Sequence, residues 1–292
     1  MKRFFITFAL ATMAVFAASA EEKTKTYDFG DITSISAGSN FQVFVTQGKS
    51  DKVKVVYDSD IEKYASIDVR YHAGRLSLIV KQEKPLNRWT NDNQILVYLE
   101  MDDISMIDMS GAAKATFTGR FKTEYLDLDI SGAAGVYDLE ITGHTLDADI
   151  SGASKASITG SFPKKIDIDL SGASKMKLNA DSEILKADVS GAGKLVCSGN
   201  YKESHICCTG ASDAEIVGKT LTAEYECSGA SSVNAKELHA KKAEVELTGA
   251  SKASVYASDE LHYNVSRSSK MVYYGDAKLY NHNDDTNIVK GR

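Results

Sequence analysis

Nine times between Ser110 and Lys270 the chain repeats one short pattern: apolar residues alternating with acids, then Ser-Gly-Ala, a small residue and usually Lys. The copies start at Ser110, Ser131, Ser151, Ser171, Ser190, Thr209, Ser228, Thr248 and, in the eroded Ser266-Arg267-Ser268, at Ser266. The glycines Gly111, Gly132, Gly152, Gly172, Gly191, Gly210, Gly229 and Gly249 fall 21, 20, 20, 19, 19, 19 and 20 residues apart. A unit this short cannot bury a core alone, so each copy has to pack on its neighbours.

Alternation identifies the unit. The residue before each Ser or Thr is Met109, Ile130, Ile150, Leu170, Val189, Cys208, Cys227, Leu247 or Val265, and one step further back stand Asp108, Asp129, Asp149, Asp169, Asp188, Cys207, Glu226, Glu246 and Asn264. Successive side chains point to opposite faces of a strand, so this is a half-buried strand. After the corner the period restarts in pairs such as Ala156 and Ile158, or Met176 and Leu178. The density of β-branched residues, Ser and Gly excludes helices. The expected fold is all-β: a single-stranded right-handed parallel β-helix, or β-solenoid, with coils of about 20 residues. Eight steps at the inter-strand spacing of roughly 4.8 Å span roughly 38 Å. The eight corner glycines supply positive φ and close backbone approach. They form no Gly-x-Ser-x-Gly nucleophile elbow, and equivalent serines without a histidine column cannot all be catalytic.

Four segments are expected. Residues 1–20 read as a secretory signal, with Lys2 and Arg3 before an apolar stretch and Ala18-Ser19-Ala20 at the cleavage site. Residues 21–103 read as β structure continuous with the solenoid and capping it, with Ile35–Val43 an older coil mirroring Ile150–Ile158 and a turn at Lys84–Asn93 carrying Pro85 and Trp89. Residues 104–275 are the repeat solenoid, and 276–292 a polar tail with Asn283-Asp284-Asp285. No later segment is apolar enough for a transmembrane helix. The expected location is the periplasm, the outer membrane or outside the cell.

Loss of Lys2 and Arg3 takes the formal net charge from −6 to −8, which argues against nucleic acid as a partner. Of four cysteines, Cys197, Cys208 and Cys227 occupy core columns and Cys207 faces out. Their expected role is as small buried residues, with a Cys208–Cys227 bridge as the alternative. No cysteine or histidine spacing marks a firm metal site or cofactor.

At this point the chain resembles a known family, the auto-transporter adhesin head GIN domain proteins of Gram-negative bacteria. The resemblance rests on residues 28–48 (DFGDITSISAGSNFQVFVTQG), on Arg75-Leu76-Ser77-Leu78, and on residues 104–119 with their Ser110-Gly111-Ala112. It implies a β-helix similar to pectin lyases without their catalytic residues, and adhesion to host or other surfaces. The membrane barrel and heptad stalk of an autotransporter are not read in this sequence.

Outward acids form ladders. Asp127, Asp129, Asp147, Asp149, Asp167 and Asp169 are the candidate ligand or cation patch, with Ca²⁺ bridging to a glycan as the chemistry. Lys114, Lys155, Lys175, Lys194, Lys252 and Lys270 are expected to neutralise part of the ladder across the turn. The six histidines show no shared column and no partner at a telling spacing, and Tyr137, Tyr201, Tyr256 and Tyr274 are candidate exposed aromatics for sugar stacking. The outer positions of the second strand, Thr116, Ser157, Asn234 and Ser254, are small enough to pack into a homo-oligomer. Interchangeable acids do not make the single constellation that catalysis requires. The expected function is therefore a non-enzymatic adhesin or surface-recognition protein binding glycan or envelope ligands through flat solenoid faces, with no groove. A structural or self-assembling envelope protein is the first alternative, and a polysaccharide lyase or hydrolase the second.

Overall fold

A computed structural model describes residues 21–50, 52–83, 94–282 and 287–291. The expected signal segment, the Pro85 and Trp89 turn and Asn283-Asp284-Asp285 lie outside the described residues. Apart from one 3-10 turn at Ser59–Lys63, the regular elements described are strands.

Each coil contributes a strand that enters the Ser-Gly-Ala corner and a strand that leaves it. Entering strands at Tyr125–Ile130, Thr145–Ile150, Lys165–Leu170, Ile184–Val189 and Glu203–Cys208 pair in parallel, each with the next. Leaving strands at Lys114–Thr118, Gly135–Thr142, Lys155–Ser161, Lys175–Asp181 and Lys194–Asn200 do the same. Like lies on like: Asp129, Asp149 and Asp169 form one column, and Ile130, Ile150 and Leu170 the next. The inward residues of these three entering strands, Leu126 to Ile130, Leu146 to Ile150 and Ile166 to Leu170, are at most 1% exposed. Each such side chain contributes roughly 1.5–3 kcal/mol by leaving water, so the in-register stack is what gives the solenoid its core.

The corner has its own ladder. The Ala N–H of each corner donates to the Gly carbonyl of the corner before it, at 2.7 Å from Ala133 to Ala250. All eight corner glycines have φ between 65° and 76°. A Cβ on Gly152 would stand 2.4 Å from the Gly132 carbonyl oxygen, so conformation and contact both demand glycine. The small residue after Ala is also structural. Ser154, Ser174, Ser212, Ser231, Ser251 and Ser269 are at most 1% exposed, and Ser154 donates to the Ser151 carbonyl at 2.7 Å, as Ser231 does to Ser228 at 2.9 Å. At Ser154 and Ser231 the carbonyl three residues back accepts the buried hydroxyl's proton; at Ser212 and Ser251 the Val189 and Cys227 carbonyls of the previous coil do, and Ser174 Oγ is buried without a partner among the described residues.

From residue 213 onward the coil changes character. Asp213–Cys227, Ser232–Leu247 and Lys252–Val265 are continuous strands of 15, 16 and 14 residues that bend through the far edge without a turn. Earlier coils break at that edge instead.

The N-terminal part joins the same stack but reverses direction. Phe41–Gln47 pairs in parallel with Lys114–Thr118 and with Ile95–Met101. Lys52–Asp58 and Glu22–Asp28 then add on antiparallel, and Ala65–His72 makes an antiparallel hairpin with Arg75–Gln82. The older coil is present with a register two residues from the expected one: Ala37 pairs with Met109, hence lies in the Ile150 column, and Val43 pairs with Ala115. Ser39, not Gly38, takes the positive φ of 54° beneath Gly111. The strand on its other side, Arg75–Gln82, leaves for its hairpin, and among the described residues no further corner stacks against the Ser39 side chain. At the other end the tail is partly built into the stack, with Lys278–Asn281 on Glu260–Tyr263 and Ile288–Lys290 on Met271–Tyr273.

Two glycines separate these roles. Gly152→Ala is expected to lower stability by more than about 2 kcal/mol, from left-handed strain and the carbonyl clash. Gly193, at a position where other coils place the buried Ser, has no positive φ, and Gly193→Ser is expected to be within about 1 kcal/mol of the parent because the hydroxyl can reach the Ser190 carbonyl. Urea titrations of the two variants check both.

Candidate functional site

The outward face of the entering strands carries two columns. Asp127, Asp147, Asp167, Lys186, His205, Glu224, Glu244 and His262 stack in one. Asp108, Asp129, Asp149, Asp169, Asp188, Cys207, Glu226 and Glu246 stack in the other. Cations sit at the ends of the aspartate run. Arg75 pairs with Asp108 at 2.7 Å, Lys165 with Asp167 at 2.6 Å, and Lys186 with Asp188 at 2.8 Å. The Tyr125 hydroxyl donates to Asp147 at 3.0 Å. Between these ends Asp127, Asp129, Asp149 and Asp169 have no ion pair among the described residues.

The corner lysines do not fill that gap. None of Lys114, Lys155, Lys175, Lys194, Lys252 and Lys270 pairs with a described acid, because a residue just past the corner projects from the other sheet. Lys165 and Lys186 can pair because they share strands with the aspartates. Partial burial, then Asp147, Asp129 and Asp108, push the Asp127 carboxyl above its usual range. Asp149 is raised by partial burial and by Asp147, Asp169, Asp129 and Asp127. Burial and the bond to Asp147 push Tyr125 up to about 12. Among the described residues no group of three His, Cys, Asp or Glu is arranged to hold a metal ion.

Histidines do have partners, one coil away. His144 Nδ1 lies 2.5 Å from Glu124 Oε2, 20 residues earlier, and His205 Nδ1 lies 2.7 Å from Glu224 Oε2, 19 residues later. In a solenoid the telling spacing is the coil length. His205, Glu224 and Cys207 line a shallow cleft of 440 Å³ on the ladder face. All four cysteines are free thiols. Cys208 and Cys227 lie in register on adjacent rungs, and burial pushes the Cys197 thiol up to about 12.

A groove runs along the edge opposite the corners. Two clefts, of 780 Å³ and 360 Å³, share Ser161 and Pro163 and follow the axis from Thr33 to Lys202. It exists because the coils from Thr123 to Lys202 turn here through two or three residues. The later turns drive one side chain inward, Phe162 at 0%, Ser182 at 8% and Tyr201 at 6% exposure, and leave its neighbours outside. Tyr201 is therefore core, not an exposed aromatic; Tyr137, Tyr256 and Tyr274 are half-buried. Among the described residues the exposed aromatics are Phe44 and Tyr98, stacked at 5.3 Å, Tyr64, and Tyr125 beside the groove. Tyr125 was legible from parity, two residues before Asp127. The outer column of the leaving strands is not uniformly small, since Lys177, Val196 and Glu215 interrupt it.

Comparison with known proteins places this geometry. A family model described as "Putative auto-transporter adhesin, head GIN domain" matches residues 31–165 and again 162–277. The chain belongs to this family. Among solved structures, a putative adhesin from Parabacteroides distasonis ATCC 8503 is 16% identical, with 93% of this chain and 97% of that one covered at a TM-score of 0.51. A putative adhesin from Parabacteroides merdae ATCC 43184 is 13% identical over 92% and 93% of the chains, with a TM-score of 0.48. A putative lipid binding protein from P. distasonis ATCC 8503 is 14% identical over 89% and 92%, with a TM-score of 0.45. No curated protein matches the sequence. The two head GIN domain matches meet at residues 162–165, on the rim of the groove.

Two measurements follow from the ladder face. A raised carboxyl pKa means the folded state holds its proton to higher pH, so ionisation of Asp149 opposes folding above that pKa and ceases to matter as pH falls through it. Asp149→Asn is therefore expected to raise the melting midpoint at pH 7 by about 1–3 °C, with the gain vanishing by pH 3 and shrinking in 1 M salt. Thiol labelling of the folded protein is expected to modify Cys207 alone, and labelling after unfolding all four cysteines.

Proposed function

We propose that the mature chain is an exported, non-enzymatic adhesin-like protein that recognises a glycan or envelope component on a cell surface. The observation that carries this reading is the family match over residues 31–277. A relative of the same fold bears the description putative adhesin. The repeat supports it physically, because interchangeable acids on successive rungs make an extended contact surface rather than one reacting centre. No helix among the described residues is long and apolar enough to cross a membrane. In this reading Asp127, Asp129, Asp147, Asp149, Asp167 and Asp169 form a carboxylate strip, where Ca²⁺ shared with a ligand gathers between rungs.

Fluorescently labelled residues 21–292 on a glycan array and on whole Gram-negative and epithelial cells test the proposal. Saturable binding is expected, and a loss of signal in chelator, matched in the variant with all six aspartates replaced by Asn, is expected if the strip takes part. Absence of binding to every glycan and cell surface would remove the adhesive reading. Binding indifferent to both chelator and the Asn variant would remove the strip.

A further inference from the structure

We infer that the groove along the turn edge is the binding site of a neutral linear oligosaccharide, laid parallel to the solenoid axis. This deepens the recognition reading above and rests on it for its biological sense. Consecutive hydrogen bonds order the levels: Ser105 on Thr33, His144 on Glu124, Lys164 on His144, Glu183 on Pro163 and Lys202 on Glu183. Six steps at roughly 4.8 Å give a trough of roughly 29 Å, enough for several sugar rings in line.

Its lining suits a sugar chain. Short hydroxyl side chains recur along it at Thr33, Ser105, Thr123, Thr142 and Ser161; Ser105 and Thr123 donate to the Thr33 and Tyr125 carbonyls and so offer a ligand acceptor oxygens, while the others can both donate and accept. The exposed Tyr125 ring and Pro163 supply apolar surface of the kind that packs on a pyranose face. Three acids at the rim are already held: Glu124 by His144 at 2.5 Å, Glu183 by Lys202 at 2.5 Å, and Asp181 by the Asn200 amide at 2.9 Å. Groups fixed before a ligand arrives lose little freedom on binding. Acids outnumber lysines on the lining, with Asp103, Glu124, Asp181 and Glu183 against Lys122 and Lys202, so a polyanion is disfavoured.

A peptide fits less well. The turn residues spend their N–H and C=O groups on the rung above and below, as in His144 N–H to the Glu124 carbonyl and Lys164 N–H to the His144 carbonyl, both at 3.0 Å. An added strand would find no open ladder to pair with. The groove is also where the repeat loses its symmetry. Glu124, His144, Pro163, Glu183 and Lys202 occupy equivalent turns, and the residue changes from each turn to the next, so neighbouring rings of a bound chain meet different walls.

Calorimetric titration of residues 21–292 tests the assignment, with cellohexaose and chitohexaose as neutral probes and hexagalacturonate and an Ala-Ser hexapeptide as contrasts. At least one neutral hexaose is expected to bind saturably. Tyr125→Ala should weaken it tenfold or more, Ser161→Trp should fill the trough and abolish it, and Lys177→Ala, on the other sheet, should leave it unchanged. Hydrogen exchange on the unaltered protein gives a check independent of how the variants fold, with protection expected at 122–126, 142–145 and 161–164. The inference is overturned by no heat from either neutral hexaose at millimolar concentration. Binding that survives both groove variants, protection confined elsewhere, or affinity only for the acidic chain or the peptide would each overturn it too. Cell-surface binding of the same variants separates the two readings: adhesion untouched by groove substitutions sinks this site alone, whereas hexaose binding without any cell adhesion sinks the adhesive role alone.

Discussion

Everything in this molecule follows from one constraint, that a residue and its equivalent 19 to 21 positions later lie side by side. The corner enforces it. A glycine carbonyl that accepts the next corner's Ala N–H at 2.7 Å, with no room for a Cβ between them, pins each coil in rotation and height at once. The same pinning builds the core and the acid ladder. Stacking Ile150 on Ile130 and Leu170 gains the burial of three aliphatic side chains; stacking Asp149 on Asp129 and Asp169 sets like charges roughly 4.8 Å apart. In water such a pair repels by about 1 kcal/mol, against roughly 1.5–3 kcal/mol for each buried side chain. Hydrophobic register wins, and the carboxylates bear the strain. Lys165, Lys186 and Arg75 relieve it at the ends of the run, which leaves Asp127 and Asp149 as the groups whose ionisation is most opposed.

A perfectly periodic solenoid would be a poor recognition surface, because a ligand could slide by one rung at no cost. Distinctness has to enter where the period fails. In this chain it fails at the far edge, where the early coils turn and the strands after residue 213 run straight through. That change in how one edge is crossed opens a groove over the first half of the stack and ends it near Lys202. Side chains released from the corner's size limit then differ from coil to coil, Glu in one, His in the next, Pro in the third. The chemistry available for recognition is thus concentrated where the backbone rule is weakest.

How far this could be read from residues alone depends on periodicity. Columns that repeat, such as Ile130, Ile150 and Leu170 or the corner glycines, were legible because nine copies vote on each position. Register at the older coil was not: Ile35–Val43 aligns by residue type with Ile150–Ile158, yet hydrogen bonding to Met109 and Ala115 sets it two residues away. A period-two pattern keeps every side chain on its face under a two-residue slip, so alternation cannot detect one. Antiparallel closure by Lys52–Asp58 was hidden for a related reason, since alternation carries no strand direction. The groove was invisible because turn residues obey no column. His144 and Glu124 could still have been paired by subtracting their numbers and finding the coil length.

The ends of the stack decide which surfaces are left for a partner. A bare parallel rung offers a row of N–H and C=O groups to any other strand. On the N-terminal side the described strands reverse direction, and the outermost, Glu22–Asp28, is charged along its length, with Lys23 and Lys25 both tied to Glu62. Tyr57 is buried behind it, and the drop of the Glu62 carboxyl to about 2 under the pull of Lys23 and Tyr57 keeps the edge charged and polar at any physiological pH. On the C-terminal side the described strands shorten from 14 residues to 5 and then 3, so a strand arriving there finds few backbone groups to pair with. At the Glu22–Asp28 edge charge discourages an added strand, whereas the sides present unbroken lengths of ordered side chains. A ligand approaching such a rod gains most by lying along it, which is the direction in which the turn-edge groove runs.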